Sequence, residues 1–171
     1  MKSFIAVMKS TAGKLDKYQD FDTQAEADAH VAAHIGNFPN AFVAPDPGNN
    51  ATSYWTIDEG AGTITYDQAS HDADSLANGK EAKYKEADAE YVGRSLAAAE
   101  GVTPGMGKVR GSTPDQRLTA LSIKANASGN APLANALAGV HDKLETLKDG
   151  IEGAANMAAL DAIDITNNAN W

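Results

Sequence analysis

The most regular alternation of apolar and polar positions lies close to the end of the chain. Its apolar members recur at intervals of four, three, four, three and four residues: Leu133, Leu137, Val140, Leu144, Leu147 and Ile151. This alternation is typical of the two core positions of a coiled coil, so it predicts a helix over Ala131–Lys148. Polar residues fill the intervals, and so narrow an apolar stripe suits one or two partner helices. We call these six residues the seam.

The seam has two possible uses. It can associate with a second chain or another protein, or it can pack within the chain as a helical hairpin against Leu118, Leu121 and Ala125. We expect the first use, and so a homo-oligomer. Gly150 and Gly153 lie at the end of the seam, and a glycine inside a helix costs about 1 kcal/mol relative to alanine. The seam is therefore expected to fray or bend there.

Two further helices are predicted upstream of the seam. The first covers Lys80–Ala99, and a glycine-rich connector over Gly101–Gly111 follows it. The partner-facing positions of this helix are Tyr84, Ala87, Tyr91 and Ala98. The second begins after Thr113, because Thr followed by Pro114 is a common pairing of N-cap and first helical residue. The run Ser128-Gly129-Asn130 ends it.

The first part of the chain carries strand signals around one helix signal. Strands are predicted over Ser3–Met8 and Leu15–Phe21, with a turn at Ser10–Gly13 between them. Thr23 stands three residues before Glu26, a capping box that starts a helix over residues 24–35. The apolar positions of this helix are Ala27, Val31 and Ile35.

A second hairpin follows a loop rich in proline and asparagine over Pro45–Asn50. Tyr54–Ile57 and Thr63–Tyr66 have strand composition, and Glu59–Gly62 supplies the turn between them.

These elements predict an α+β fold, in which a small module of strands and one helix is followed by a mostly helical half. Aromatic and β-branched residues become rare after the second hairpin, while alanine, lysine and glutamate become frequent. We therefore divide the chain into a mixed module over residues 1–67, a helix with a glycine-rich linker over 68–112, and a helical association region over 113–171.

The acidic charge of the chain limits the kinds of partner that it can bind. Its formal net charge is −9 and its isoelectric point is about 4.7, which disfavours nucleic acid because lysine and arginine dominate phosphate binding. The apolar run at Phe4–Met8 is far shorter than the roughly 20 residues that span a bilayer, so no membrane association is expected. The sequence contains no cysteine, which excludes disulfides, thiolate metal sites and a cysteine nucleophile.

Candidate catalytic and metal-binding patterns are weak. His30 and His34 are four residues apart on the predicted helix, a spacing that can place two imidazoles on one metal, but no third ligand is evident. We interpret them as solvated histidines and predict no metal site. The loop Gly105–Gly111 has Val109 after Lys108, where a phosphate-binding loop needs Ser or Thr. We predict no catalytic residues, no cofactor and no enzymatic activity.

Three aromatic residues of the second hairpin are a candidate ligand face. Tyr54, Trp55 and Tyr66 could stack on sugar rings. The alternative is that Trp55 is core for a module that has few other large residues, and we favour that interpretation.

The last residues, Leu160 to Trp171, carry a resemblance. A leucine and a hydrophobic-aspartate pattern are followed by Thr166, a few polar residues and the final Trp171. This ending resembles the closing segment of tail-fibre assembly and virion-associated tail accessory proteins of tailed bacteriophages. Asn168–Asn170 depart from the acidic and isoleucine residues expected before the tryptophan. The resemblance implies that Trp171 is an anchor.

The resemblance and the seam together predict a phage virion structural or assembly protein of the tail, tail fibre or baseplate. It is expected in the host cytoplasm during assembly, where it either acts as a chaperone or passes into the virion. Other virion or tail proteins are its expected partners. Two alternatives stay open at this point: a cytoplasmic oligomeric adaptor unrelated to phage, and a carbohydrate-binding module that uses the Trp55 hairpin.

Overall fold

The computed structural model describes residues 3–9, 15–48, 51–105 and 113–171, and it confirms the predicted α+β class. The chain forms two compact units, Met1–His71 and Asp72–Trp171. The predicted turn at Ser10–Gly13 lies outside the described residues, as does most of the predicted connector over Gly101–Gly111.

A three-stranded antiparallel sheet is the centre of the N-terminal unit. Its strands are β1 (Phe4–Lys9), β2 (Leu15–Phe21) and β3 (Phe42–Pro45), in the order β2-β1-β3. In the register, Ile5 is opposite Asp20 on one side and Ala44 on the other. The central strand is therefore hydrogen-bonded along both edges, in keeping with the apolar run that predicted it. Strand β3 was not predicted, since only its last residue had been assigned and then to a loop.

Helix α1 (Gln24–His34) begins at the predicted capping box. The Thr23 side chain accepts a hydrogen bond from the Glu26 amide, and the Glu26 carboxylate accepts one from the Thr23 amide. Ala27 is fully buried against the sheet, but Ile35 is the C-cap residue and 45% exposed. Of the three apolar positions named from the sequence, Ile35 thus lies just beyond the end of the helix and is largely exposed.

Strands β4 (Trp55–Asp58) and β5 (Thr63–Tyr66) form the second predicted hairpin, with Trp55 opposite Tyr66. The two faces of the three-stranded sheet bury different partners. Ala6 and Met8 of β1 lie in a cluster with Ala27 of α1, whereas Ile5 and Val7 lie in a cluster with Ile64 of β5. Because successive side chains of a strand point to opposite faces of the sheet, β1 contributes residues to two small cores.

Helix α2 (Gln68–Val102) is longer than the predicted Lys80–Ala99. Asp67 accepts hydrogen bonds from the amide and the hydroxyl of Ser70, so the helix has an acidic cap thirteen residues before the predicted start. The extra turns are rich in small and polar residues and show no apolar periodicity, which is why the pattern did not predict them.

The remaining helices are α3 (Pro114–Ser128), α4 (Ala131–Gly153) and the short α5 (Met157–Asp161). Thr113 caps α3 as predicted, and Gly129 ends it in the left-handed conformation with φ of 61°. Helix α4 runs to Gly153, five residues past the predicted end. None of the helices in the described part of the chain has a stretch long and apolar enough to cross a membrane.

Candidate functional site: the seam and the closing segment

The N-terminal half of the seam lies in a core made by three helices of the same chain. Leu133 is fully buried with Ala99 of α2 and with Leu121 and Ala125 of α3, and Leu137 packs against this cluster. The residues named for an internal hairpin, Leu118 among them, thus contact this half of the seam.

The C-terminal half of the seam is covered differently. Leu144, Leu147 and Ile151 form a cluster with Ala87 of α2 and with buried residues that follow α4. The covering residues beyond α4 are Ala154, Leu160, Ile163, Ile165 and Trp171. We call residues 154–171 the closing segment. Seam residues other than Leu137 are at most 9% exposed, so the chain itself occupies the seam.

Helices α2 and α4 run antiparallel along the seam. Ala99 clusters with Leu133 near one end, while the Lys80 ammonium donates to the Glu152 carbonyl oxygen at 2.6 Å near the other. Glu152 lies in the last turn of α4, where carbonyls lack helical partners and the helix dipole favours a cation. Lys80 therefore caps α4 from a neighbouring helix.

Arg94 of α2 holds the final residues of the chain. Its guanidinium donates to the Asn168 side-chain oxygen at 2.5 Å and to the Thr166 carbonyl oxygen at 3.2 Å, and it lies 5.8 Å from the centre of the Trp171 ring. The indole N–H of Trp171 donates to the Ile165 carbonyl oxygen at 2.7 Å. The predicted anchor residue is thus half-buried and fixed at its polar end as well as at its ring face.

A third cation and a carboxylate order the middle of the closing segment. The Lys83 ammonium donates to the Ile163 carbonyl oxygen at 2.9 Å. The Asp164 carboxylate accepts from the hydroxyl and the amide of Thr166 at 2.8 and 2.9 Å. These two hydrogen bonds hold the pKa of Asp164 below its usual range. The Asp164 carboxylate therefore closes the turn from Asp164 to Thr166, which contains the buried Ile165.

Tyr84 links α2 to the end of α4 through a side chain. Its hydroxyl donates to the Glu152 carboxylate at 2.7 Å, and this hydrogen bond, with burial and nearby carboxylates, raises the pKa of the phenol. Lys148 of α4 also pairs with Asp88 of α2 at 2.8 Å. Sequence reasoning named Tyr84 as partner-facing but missed Lys80, Lys83 and Arg94, since cations on a polar helix face carry no pattern that separates docking residues from solvated ones.

A cleft of about 480 Å³ lies between α4 and the closing segment. Leu147 and Ile163 contribute apolar surface to it, while Lys143 and Asp164 contribute opposite charges. Gly150 also lines the cleft, where an added Cβ would stand 3.9 Å from the Ile163 side chain. The cleft has the size of a small binding site and combines apolar lining with a few polar groups.

The aromatic residues of the second hairpin pack within the N-terminal unit. Trp55 is half-buried against the cluster of Ile5 and Val7, and its ring centre is 4.9 Å from that of Tyr18 in an edge-on contact. Tyr54 and Tyr66 have their ring centres 6.2 Å apart, and both lie near the ring of His71. The rings of Tyr54, Trp55 and Tyr66 thus pack against neighbouring aromatic rings, and Trp55 also contributes to a core.

His30 and His34 come together on α1, with ring centres 4.3 Å apart. Within the described residues, no group of three or more histidine, aspartate or glutamate side chains is placed to hold a metal ion. Of the loop Gly105–Gly111, all but Gly105 lie outside the described residues.

Comparison of the chain with protein-family models, with curated proteins and with solved structures found no match. The function is therefore inferred from the residues themselves.

Proposed function

We propose that the protein is a structural or assembly protein of a tailed-phage virion, acting through protein–protein contacts in the tail, tail fibre or baseplate. In this proposal it has no enzymatic activity, its partners are other virion or tail proteins and further copies of itself, and it binds neither nucleic acid nor membrane. The observation that carries the proposal is the fit between the pattern of the last twelve residues and the construction of the closing segment.

Each marked position of that pattern has a structural role. Leu160 and Ile165 are 1% exposed beneath the seam, Asp164 closes the turn through Thr166, and Trp171 ends the segment in a held position. These roles support the proposal that the last twelve residues are an attachment element, as the resemblance to tail accessory proteins implies.

The cleft beside the closing segment is the surface we assign to a partner. Its apolar lining with charged residues around it has the composition of a small protein–protein contact, where one inserted side chain supplies much of the affinity. The seam itself is occupied by the chain, so partner contacts in this proposal use surfaces that remain open to solvent.

Loss of the protein from the phage that encodes it tests the proposal. A stop codon at Lys17 in a non-suppressing host should give particles with absent or defective tails or fibres, and a plasmid copy of the intact gene should restore them. Particles of normal number, shape and adsorption without the protein would refute the phage function and leave the cytoplasmic adaptor.

A matched pair of glycine variants tests the partner surface. Gly150→Leu places a side chain in the cleft, whereas Gly153→Leu makes the same change at a helical position with open space around it. Complementation should fail with Gly150→Leu and succeed with Gly153→Leu, provided both proteins fold to the same circular dichroism spectrum. Equal complementation by both would show that the cleft is not the contact.

A further inference from the structure

Two histidines of α1 form a pair on one face of the helix. His30 and His34 are one turn apart, both are half-buried, and their ring centres are 4.3 Å apart with 35° between the ring planes. The Phe21 ring of β2 lies 5.1 Å from the His30 ring and limits its movement. The pair is therefore positioned by the sheet as well as by the helix.

The tautomer of His34 follows from its hydrogen bond. Its Nδ1 lies 2.9 Å from the backbone carbonyl oxygen of His30. A carbonyl oxygen can only accept, so Nδ1 carries the proton and Nε2 of the neutral ring keeps its lone pair. Metal-binding histidines are oriented in this way, with one ring nitrogen donating to a carbonyl and the other left for the ion.

Glu26, one turn before His30, is engaged with Thr23 in the capping box and is not counted as a ligand.

We propose that His30 and His34 together bind a divalent first-row transition-metal ion, with water in the remaining coordination positions. Imidazole nitrogen suits Zn²⁺, Ni²⁺ and Cu²⁺, while Mg²⁺ and Ca²⁺ prefer oxygen ligands. The expected order of affinity places Cu²⁺ above Zn²⁺. This proposal does not depend on the proposed function, since it concerns the N-terminal unit alone.

Thermal unfolding of the full-length chain without an affinity tag tests the site, with zinc chloride as the probe. An ion that binds the folded state favours folding by a factor of one plus its concentration over its dissociation constant. Zinc at about ten times the dissociation constant should therefore raise the folding equilibrium about elevenfold. Magnesium chloride at the same concentration should produce no shift.

Histidine variants separate this site from general surface binding. His30→Gln and His34→Gln should each remove most of the zinc-dependent rise in melting temperature. His141→Gln is the control, because His141 is exposed on α4, and it should leave the rise unchanged. An equal rise in His30→Gln/His34→Gln, or no rise in the unmodified protein, would overturn the proposal.

A measurement on the unmodified protein guards against misfolded variants. Substoichiometric Cu²⁺ broadens the amide signals of nearby residues in a nitrogen–proton correlation spectrum. The strongest broadening should fall on Gln24–His34. Strongest broadening elsewhere, for example around His141, would also refute the site.

Discussion

Two glycines of α2 differ in what surrounds them, and only at one of them should an alanine stabilise the protein. A Cβ at Gly93 would meet nothing within 4 Å, whereas a Cβ at Gly79 would stand 2.8 Å from the Leu160 side chain and 3.1 Å from the Met157 sulfur. Alanine in a helix interior is favoured over glycine by about 1 kcal/mol. Gly93→Ala should therefore stabilise the helical unit by about that amount.

Gly79→Ala gains the same helix propensity but overpacks the contact with α5. Met157 is 37% exposed and can move aside, but Leu160 is 1% exposed and is enclosed by the core around Ile151. Overpacking a well-packed core typically costs about 1 to 3 kcal/mol. The net effect of Gly79→Ala is then between about zero and 2 kcal/mol of destabilisation, so the two variants should differ by about 1 to 3 kcal/mol.

Urea unfolding followed by the helical circular dichroism signal measures this difference. The comparison requires equal slopes of free energy against denaturant in the two variants. Replacing Leu160 by Val in the Gly79→Ala background should cost less than it does in the unmodified protein, because the smaller side chain relieves the clash. Equal stabilisation by Gly79→Ala and Gly93→Ala would refute the close approach of α5 to α2.

Three further changes test other contacts. Trp171→Phe removes the indole donor to the Ile165 carbonyl and should lower the free energy of unfolding by about 1 kcal/mol, measured by the same urea method; no change would mean that the bond is not formed in solution. Glu59→Gln should destabilise the N-terminal unit more than Lys9→Met does in thermal unfolding, because Lys9 is 6% exposed and would be left buried without its ion pair; the reverse order would contradict this pairing. Asp67→Ala should lower the melting temperature at neutral pH, and this loss should shrink as pH falls through the lowered pKa of Asp67. The sign follows because a carboxyl whose pKa is lowered in the folded state stabilises it above the unfolded pKa and ceases to do so once protonated; a loss that does not depend on pH would refute the charge-dependent cap.

The structural features predicted best from the sequence were those that depend on only a few neighbouring residues. The capping box of Thr23 and Glu26 fixed the start of α1, and Thr113 with Pro114 fixed the start of α3. Each works through hydrogen bonds to the next turn, so no distant residue is needed to interpret it. The apolar run of β1 was equally clear, because both faces of that strand are buried and no polar residue interrupts the run before Lys9.

Features that depend on distant parts of the chain were not predictable in this way. Strand β3 has four residues and ends in a proline, so its pairing with β1 is what defines it as a strand. On α2, Ala87 was predicted to face a partner and is fully buried, but Ser95 and Ala99, which are also fully buried, were not predicted. Small residues allow close helix packing but contribute little to an apolar pattern, so only the partner helix shows which face is buried.

The burial of the seam decides how association between chains can be tested. Leu144 is 4% exposed in the cluster that includes Leu160 and Ile165, so Leu144→Asp would place a charge in the core of the helical unit. A change in solution mass after that substitution would report unfolding as readily as dissociation. Ile123 on α3 is 63% exposed, and Ile123→Asp adds a charge without disturbing the core. Light scattering on Ile123→Asp and on variants of the cleft can therefore measure self-association apart from folding, whereas substitutions within the seam cannot.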